Sequence, residues 1–205
     1  IITPLKDRIG SQIITHYPRD LETGMRITEQ EAWVARQEQN VVIASVIREV
    51  IEQTAFEARR SEFVDQKSGV SARMTISLLE NTVSNAERRA AIRGESTVVP
   101  RICDLTAALS AMTGKMELVY EGEQEGVMNV ARGLLGMAVK SVFSNYLPNP
   151  HKAMKEEGNP FAKTVDFFKN DRKVDISDTM GRDEYLGALK SIDGLAALQL
   201  SLIHI

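Results

Sequence analysis

The segment between Gly69 and Gly94 constrains the fold of this 205-residue chain more than any other feature. Most of its apolar residues recur at intervals of three to five, a spacing close to the period of an α-helix that places them on one side of it. The predicted buried stripe comprises Met74, Leu78, Val83, Ala86, Ala90 and Ile92. Ser71 can cap the start of this helix and Gly94 can end it, because serine accepts orphan N–H groups and glycine adopts left-handed backbone. The sequence therefore predicts a long helix with Arg73 in its first turn.

Most of the remaining chain is also predicted to be helical. Helices are expected up to Trp33 and over residues 41–63, 101–112, 127–146, 161–168 and 183–190. Asp20 and Thr28 are both candidate N-caps of the first helix, and residues 28–31 fit the capping-box pattern. Residues 98–100 are predicted to be an extended connector, since the residue before a proline disfavours helix. These patterns give a mostly α fold class.

A few segments depart from this helical character. Residues 11–17 are rich in β-formers and stop at Pro18, so they are predicted to form a strand, and residues 173–176 are a candidate second strand. Residues 121–126 alternate between acidic residues and Gly or Gln, and are predicted to form an acidic turn. Residues 145–160 are rich in Pro, Asn and Gly, which favour turns, so a linker is expected there.

Composition excludes several classes of function. Hydrophobic residues make up 43% of the chain and charged residues 26%, the balance of an ordinary globular protein. A net charge of -3 provides no basic field for phosphate neutralisation, so nucleic-acid binding is not expected. The single cysteine, Cys103, excludes an internal disulfide, fits the reducing cytoplasm and is predicted to pack in the core. No apolar run approaches the ~18 residues that span a bilayer, so no membrane contact is expected.

Other constellations of reactive residues are weak candidates. Three histidines are far apart without ligand spacing, and three glutamates in the acidic turn are better explained as solvated. These residues are His16, His151, His204, Glu121, Glu123 and Glu125. No nucleophile–base pair is evident, and the pairs Arg59–Arg60 and Arg88–Arg89 are predicted to lie on solvated helix faces. The sequence therefore predicts no metal site.

Two arginines are stronger candidates for function. A helix start presents unpaired N–H groups and partial positive charge, and Arg73 would add a bidentate cation suited to phosphate. Near the N-terminus the chain reads Leu5-Lys6-Asp7-Arg8-Ile9. Together with residues 68–73, this stretch resembles the motifs of AAA+ ATPases in the magnesium-chelatase-like and MoxR-like branch.

This resemblance implies a role for each matching residue. Arg73, with Ser71 beside it, corresponds to the sensor-2 motif, which contacts the terminal phosphate of the nucleotide from a helical lid. Arg8 corresponds to the arginine finger, which acts on the nucleotide of a neighbouring subunit, and Asp7 would position it. Many relatives have Pro where Ala72 stands, and Phe where Ile9 stands. The simpler alternatives are a solvated Arg73 and a surface pair of Asp7 with Arg8.

The resemblance also implies a division of the chain. Residues 1–18 would end an ATPase core whose last strand is 11–17, and residues 19–114 would form the helical lid. Residues 115–147 would be a helical extension, 148–160 a linker and 161–199 a small α/β segment. Residues 200–205 are predicted to be a non-native tail on a truncated fragment. The family's phosphate loop and magnesium-holding acids are expected upstream of Ile1, so the fragment alone should be inactive.

The implied function is that of a cytoplasmic ring ATPase, commonly a hexamer. Such a ring uses ATP and Mg²⁺ to remodel a partner protein, often one with a von Willebrand factor A domain. The long extension after Gly114 favours a general remodelling ATPase over tetrapyrrole metal insertion. The alternative is a non-catalytic helical module for protein interaction or regulation, which would need no phosphate loop upstream.

Overall fold

A computed structural model describes residues 8–11, 13–35, 40–153 and 158–198. Its helices are α1 (Leu21–Glu31), α2 (Ser45–Ala58), α3 (Arg73–Arg93), α4 (Ile102–Ala107), α5 (Tyr120–Glu125), α6 (Val127–Tyr146), α7 (Pro150–Ala153), α8 (Ala162–Lys169) and α9 (Arg182–Lys190). A 3-10 turn, Leu109–Met112, follows α4. Two short strands, β1 (Asn40–Val41) and β2 (Thr97–Val98), pair in parallel, with Asn40 opposite Thr97. The described chain is therefore mostly α-helical, as predicted.

The core lies where α2, α3 and α6 pack against one another and against the 3-10 turn. Its largest fully buried apolar side chains are Ile51, Met74, Leu78, Leu79, Leu105, Leu109, Met112 and Leu134. Burial of such side chains stabilises a fold by about 1.5–3 kcal/mol each. The predicted stripe of α3 is confirmed except at Ile92, which is 72% exposed. Ile92 lies in the last turn of α3, beyond the reach of this core.

The C-terminal end of α3 follows the prediction, but its N-cap does not: Ala72 and not Ser71 is the N-cap residue, and its side chain makes no capping hydrogen bond. The helix starts at Arg73, and the Arg73 N–H donates to the Ser71 hydroxyl at 3.2 Å. It ends at Gly94, whose φ of +68° is left-handed. Asp20 caps α1 as predicted, accepting the Thr23 N–H at 2.8 Å. The predicted helix over 127–146 corresponds to α6.

The structure corrects the prediction for the segment around α1. The described residues of 11–17 form no strand, because no other described segment lies alongside to pair with them; Ile13 and Ile14 are about 86% and 87% exposed. Thr28 caps no helix, since it lies inside α1 and its buried hydroxyl contacts Glu52. The helix ends before Trp33, which is 71% exposed.

Other boundaries also differ from the predictions. The helix expected over 41–63 is only Ser45–Ala58, because Val41 pairs in β1. The helix expected over 101–112 divides into α4 and the 3-10 turn. The predicted acidic turn is instead part of α5, where Gly122 packs so closely that an added Cβ would lie 2.5 Å from the Phe63 carbonyl oxygen. Residues 173–176 form no strand, since no described strand adjoins them.

The predicted linker contains one short helix, α7, and its residues 154–157 lie outside the described ranges, as does the predicted tail 200–205. Beyond it, α9 buries none of its residues. This part of the chain is held largely by polar contacts with the end of α3 and the start of α4. Arg93 Nε donates to the Thr179 carbonyl at 2.8 Å, and Arg101 Nη1 donates to the Met180 carbonyl at 2.9 Å. Among the described residues, no helix is long and apolar enough to cross a membrane.

Candidate functional site

An open cleft of about 380 Å³ lies at the N-terminus of α3. Residues 68–72 form one wall, residues 114–117 form the other, and Tyr17 lies at one side. The cleft therefore contains Ser71 and adjoins Arg73, the residues that the sequence predicted to contact a nucleotide phosphate. Arg8, the third predicted site residue, is exposed and does not line this cleft.

The two walls are joined by backbone pairing. Val70 forms an antiparallel bridge with Met116, and Val64 forms one with Leu118. The Ser71 N–H donates to the Lys115 carbonyl at 2.7 Å. These contacts fix the loop before α3 against a segment more than forty residues away in sequence, so the start of α3 has a defined position.

Arg73 is exposed at the first residue of this 21-residue helix. Within the described ranges its guanidinium forms no ion pair. The first N–H groups of the helix are already bound within the chain, since the Met74 N–H donates to the Ser71 carbonyl at 3.0 Å, so the helix start contributes its partial positive charge. Ser71 already accepts one N–H at this end, and its hydroxyl hydrogen can be donated.

Lys115 is the cation that lines the described cleft, and Glu117 on the same wall partly offsets its charge. Lys115 has no local sequence signal, because only the pairing of distant segments brings it close to the start of α3. A phosphate group at this end of the helix would be able to accept hydrogen bonds from the side chains of Arg73 and Lys115. Of the carboxylates in the described ranges only Glu117 lines the cleft, so this site lacks the acidic ligands that usually hold Mg²⁺.

Tyr17 contacts the cleft loop directly and was also missed by the sequence. Its hydroxyl accepts the Val70 N–H at 3.1 Å, and its ring centroid lies 4.2 Å from the guanidinium carbon of Arg59. The same guanidinium lies 5.3 Å from the Phe56 ring centroid. Burial lowers the pKa of Arg59, against the opposing attraction of Glu52. The prediction that Arg59 lies on a solvated face is therefore wrong.

A buried carboxylate lies beneath this region. Glu52 in α2 is 2% exposed and accepts the hydroxyl of Thr28 in α1, which lies 2.8 Å from the hydroxyl of Thr75 in α3. Burial raises the pKa of Glu52, while the threonine hydrogen bonds and the charge of Arg59 lower it in part. This polar cluster joins the three helices behind the cleft.

The remaining candidates add no ligand to the described cleft lining. Asp7 and His204 lie outside the described ranges. In the described part of the chain, no group of three His, Cys, Asp or Glu side chains could hold a metal ion. Cys103 is only partly buried, which corrects the prediction of core packing, and burial followed by the charge of Asp104 raises the pKa of its thiol.

The described residues thus form a mostly helical fold with a cleft at the start of its long helix α3. Comparison of the chain with known protein families, with curated proteins and with solved structures finds no match.

Proposed function

We propose that this chain is the C-terminal part of a ring-forming AAA+ ATPase of the magnesium-chelatase-like branch. It would couple ATP binding and hydrolysis to the remodelling of a partner protein. The observation that carries the proposal is the exposed Arg73 at the first residue of α3, beside a cleft and without an ion-pair partner in the described chain. The sequence resemblance assigns this same residue to the sensor-2 position.

In this proposal, the helices from α1 to α4 form a lid over a nucleotide held by the ATPase core. Arg73 donates both arms of its guanidinium to the terminal phosphate, and Ser71 adds its hydroxyl. Lys115 adds positive charge on the opposite wall. ATP with Mg²⁺ supplies the phosphoryl group for transfer. Because Arg73 is fixed to a long rigid helix, loss of that phosphate would release the whole lid.

Assembly and partner are proposed on the same basis. Arg8 is exposed, as an arginine that reaches a neighbouring subunit in a ring, commonly a hexamer, must be. The remodelled partner would be a protein with a von Willebrand factor A domain, in the cytoplasm. The small segment after residue 160 has mostly polar contacts with α3 and α4, which suits a part that is rearranged during turnover.

The test is the substitution Arg73→Ala in the full-length protein that carries this chain. ATP turnover should fall at least tenfold, which corresponds to about 1.4 kcal/mol of barrier. Arg182→Ala is a matched control, because Arg182 is also an exposed arginine at the first residue of a helix. It should retain turnover.

The contrary outcomes are distinct. Normal turnover in a folded Arg73→Ala protein would overturn the assignment of Arg73. A full-length protein that neither binds nor hydrolyses ATP would favour the alternative, a non-catalytic helical module for protein interaction.

A further inference from the structure

We propose that Tyr17 is a positioning residue for Arg73. Its hydroxyl, fixed by the stacking of Arg59 on its ring, would hold the loop before α3 and so set where Arg73 meets the nucleotide. This inference rests on the function proposed above, and it assigns a role to a residue outside the resembling motifs.

The first step is the contact between Tyr17 and the loop. The Tyr17 hydroxyl accepts the N–H of Val70, whose side chain is 2% exposed. The next N–H, that of Ser71, donates to the Lys115 carbonyl. Two successive backbone donors are thus bound to separate parts of the molecule, and Arg73 follows two residues later. A shift of Tyr17 would therefore move the start of α3 or break this pairing.

The second step is the fit at Gly69. This residue has a φ of +75°, and a Cβ built on it would lie 2.6 Å from the Tyr17 hydroxyl oxygen. The hydroxyl therefore occupies the space that the Cβ atom of any other residue at position 69 would need. Glycine is therefore required twice here, for its left-handed backbone and for the close approach of Tyr17.

The third step is the attachment of Tyr17 to the helical body. The Arg59 guanidinium lies over the ring of Tyr17 and close to that of Phe56, and its Nε and Nη1 atoms are buried without a hydrogen-bond partner in the described chain. Stacking on an aromatic face is favourable for a cation that has lost water. Arg59 follows α2, which packs in the core, so the ring of Tyr17 is fixed to a rigid element.

The consequence is a connection between two regions of the chain. Tyr17 ends an extended segment that includes the exposed Ile13 and Ile14, which the proposed function places at the edge of the ATPase core. Movement of this segment would shift Tyr17, and with it the loop before α3 and Arg73. Lid position and Arg73 geometry would then change together.

The experiment uses Tyr17→Phe in the full-length protein, which keeps the ring for Arg59 and removes only the hydroxyl. Hydrogen–deuterium exchange of the peptide covering 69–72 should become faster, because Val70 loses its acceptor. ATP turnover should fall about fivefold, the size expected for one hydrogen bond. Tyr120→Phe is the control, since the Tyr120 hydroxyl accepts only the exposed Gln124 amide within the described chain. It should leave both measurements unchanged.

A double-mutant cycle decides whether Tyr17 acts through Arg73. In an Arg73→Ala background, Tyr17→Phe should cause no further loss of turnover. An equal loss in both backgrounds would overturn the positioning role, and unchanged exchange at 69–72 would overturn the hydroxyl contact. Normal turnover of Arg73→Ala alone would refute the proposed function and this role with it. The exchange measurement would then still report separately on the contact.

Discussion

The guanidinium of Arg89 in α3 donates to the carboxylate of Asp104 in α4 at 2.5 Å, and these side chains are only 6% and 0% exposed. The same carboxylate accepts the Arg101 N–H and the Asn85 side-chain amide, both at 2.7 Å. Arg89 also donates to the Val99 carbonyl at 2.9 Å. Each buried charge therefore has several partners, and the pair fixes α4 and the connector before it to α3.

We predict that Asp104→Ala lowers the free energy of unfolding by about 3–5 kcal/mol, because it leaves the Arg89 cation buried without its carboxylate. Urea denaturation monitored by circular dichroism measures this change. Asp193→Ala is the control: Asp193 pairs with Arg172 at 3.1 Å on the surface, and such pairs contribute about 0–1 kcal/mol. A similarly small loss for Asp104→Ala would contradict the structural importance of the buried pair.

The Arg89–Asp104 pair also shows how far the sequence could predict this fold. Helical spacing located α3 and most of its buried stripe, because that signal is local. The same sequence placed Arg88 and Arg89 together on a solvated face, yet Arg89 is 5% exposed. Its burial depends on Asp104, whose position follows from the packing of α4 and not from any local pattern.

The candidate site divides in the same way. The position of Arg73 in the first turn of α3 could be predicted, since helix starts have sequence signals, although the cap is Ala72 and not Ser71. Tyr17 and Lys115 could not, because they reach the cleft through contacts between segments about fifty and forty residues distant from the loop. The strand predicted over 11–17 failed because strand formation needs a neighbouring strand as well as β-forming residues.

Glu52→Gln should stabilise the protein near neutral pH. Burial raises the pKa of Glu52 in the folded state above its ordinary value of 4.5. The stability that the protonated side chain contributes is therefore fully present below pH 4.5, and it is lost as the pH rises through the folded-state pKa. Glutamine stays neutral and still accepts the Thr28 hydroxyl. In urea denaturation from pH 4 to pH 8, the free energy of unfolding of the variant should increase relative to that of the parent protein as the pH rises. A difference that does not vary with pH would show that Glu52 titrates normally.

Two glycine substitutions should have unequal costs. At Gly94, φ is +68° and nothing lies within 4 Å of an added Cβ. Gly94→Ala should therefore lower the free energy of unfolding only by the strain of a left-handed backbone, about 1–2 kcal/mol. Gly69→Ala has the same kind of strain plus the collision with the Tyr17 hydroxyl. In urea denaturation, Gly69→Ala should lower the free energy of unfolding by more than Gly94→Ala does. Adding Tyr17→Phe to the Gly69→Ala variant should remove this extra loss. Equal costs for the two alanines would argue against the close approach at Gly69.

Arg8→Ala should abolish ATP hydrolysis by the full-length protein while nucleotide affinity stays within a few-fold. An arginine finger stabilises charge that develops during phosphoryl transfer, and its removal typically costs about 10³-fold or more in rate. Arg19→Ala is the control, because Arg19 is also exposed and lies nearby in sequence. The Arg19→Ala protein should hydrolyse ATP at the rate of the parent protein. Steady-state turnover and nucleotide titration separate the two effects.

Mixing subunits tests whether Arg8 acts on a neighbour. Under the proposed function, a ring of Arg8→Ala subunits would have intact nucleotide pockets without fingers, whereas subunits with a disabled phosphate loop would have fingers without working pockets. If Arg8 acts across the interface, mixed rings should recover part of the activity, because some intact pockets then face an intact Arg8. Recovery should rise with the share of loop-disabled subunits and then fall as working pockets become scarce. Mixed assembly verified by native mass spectrometry without any recovery would place Arg8 outside the catalytic interface.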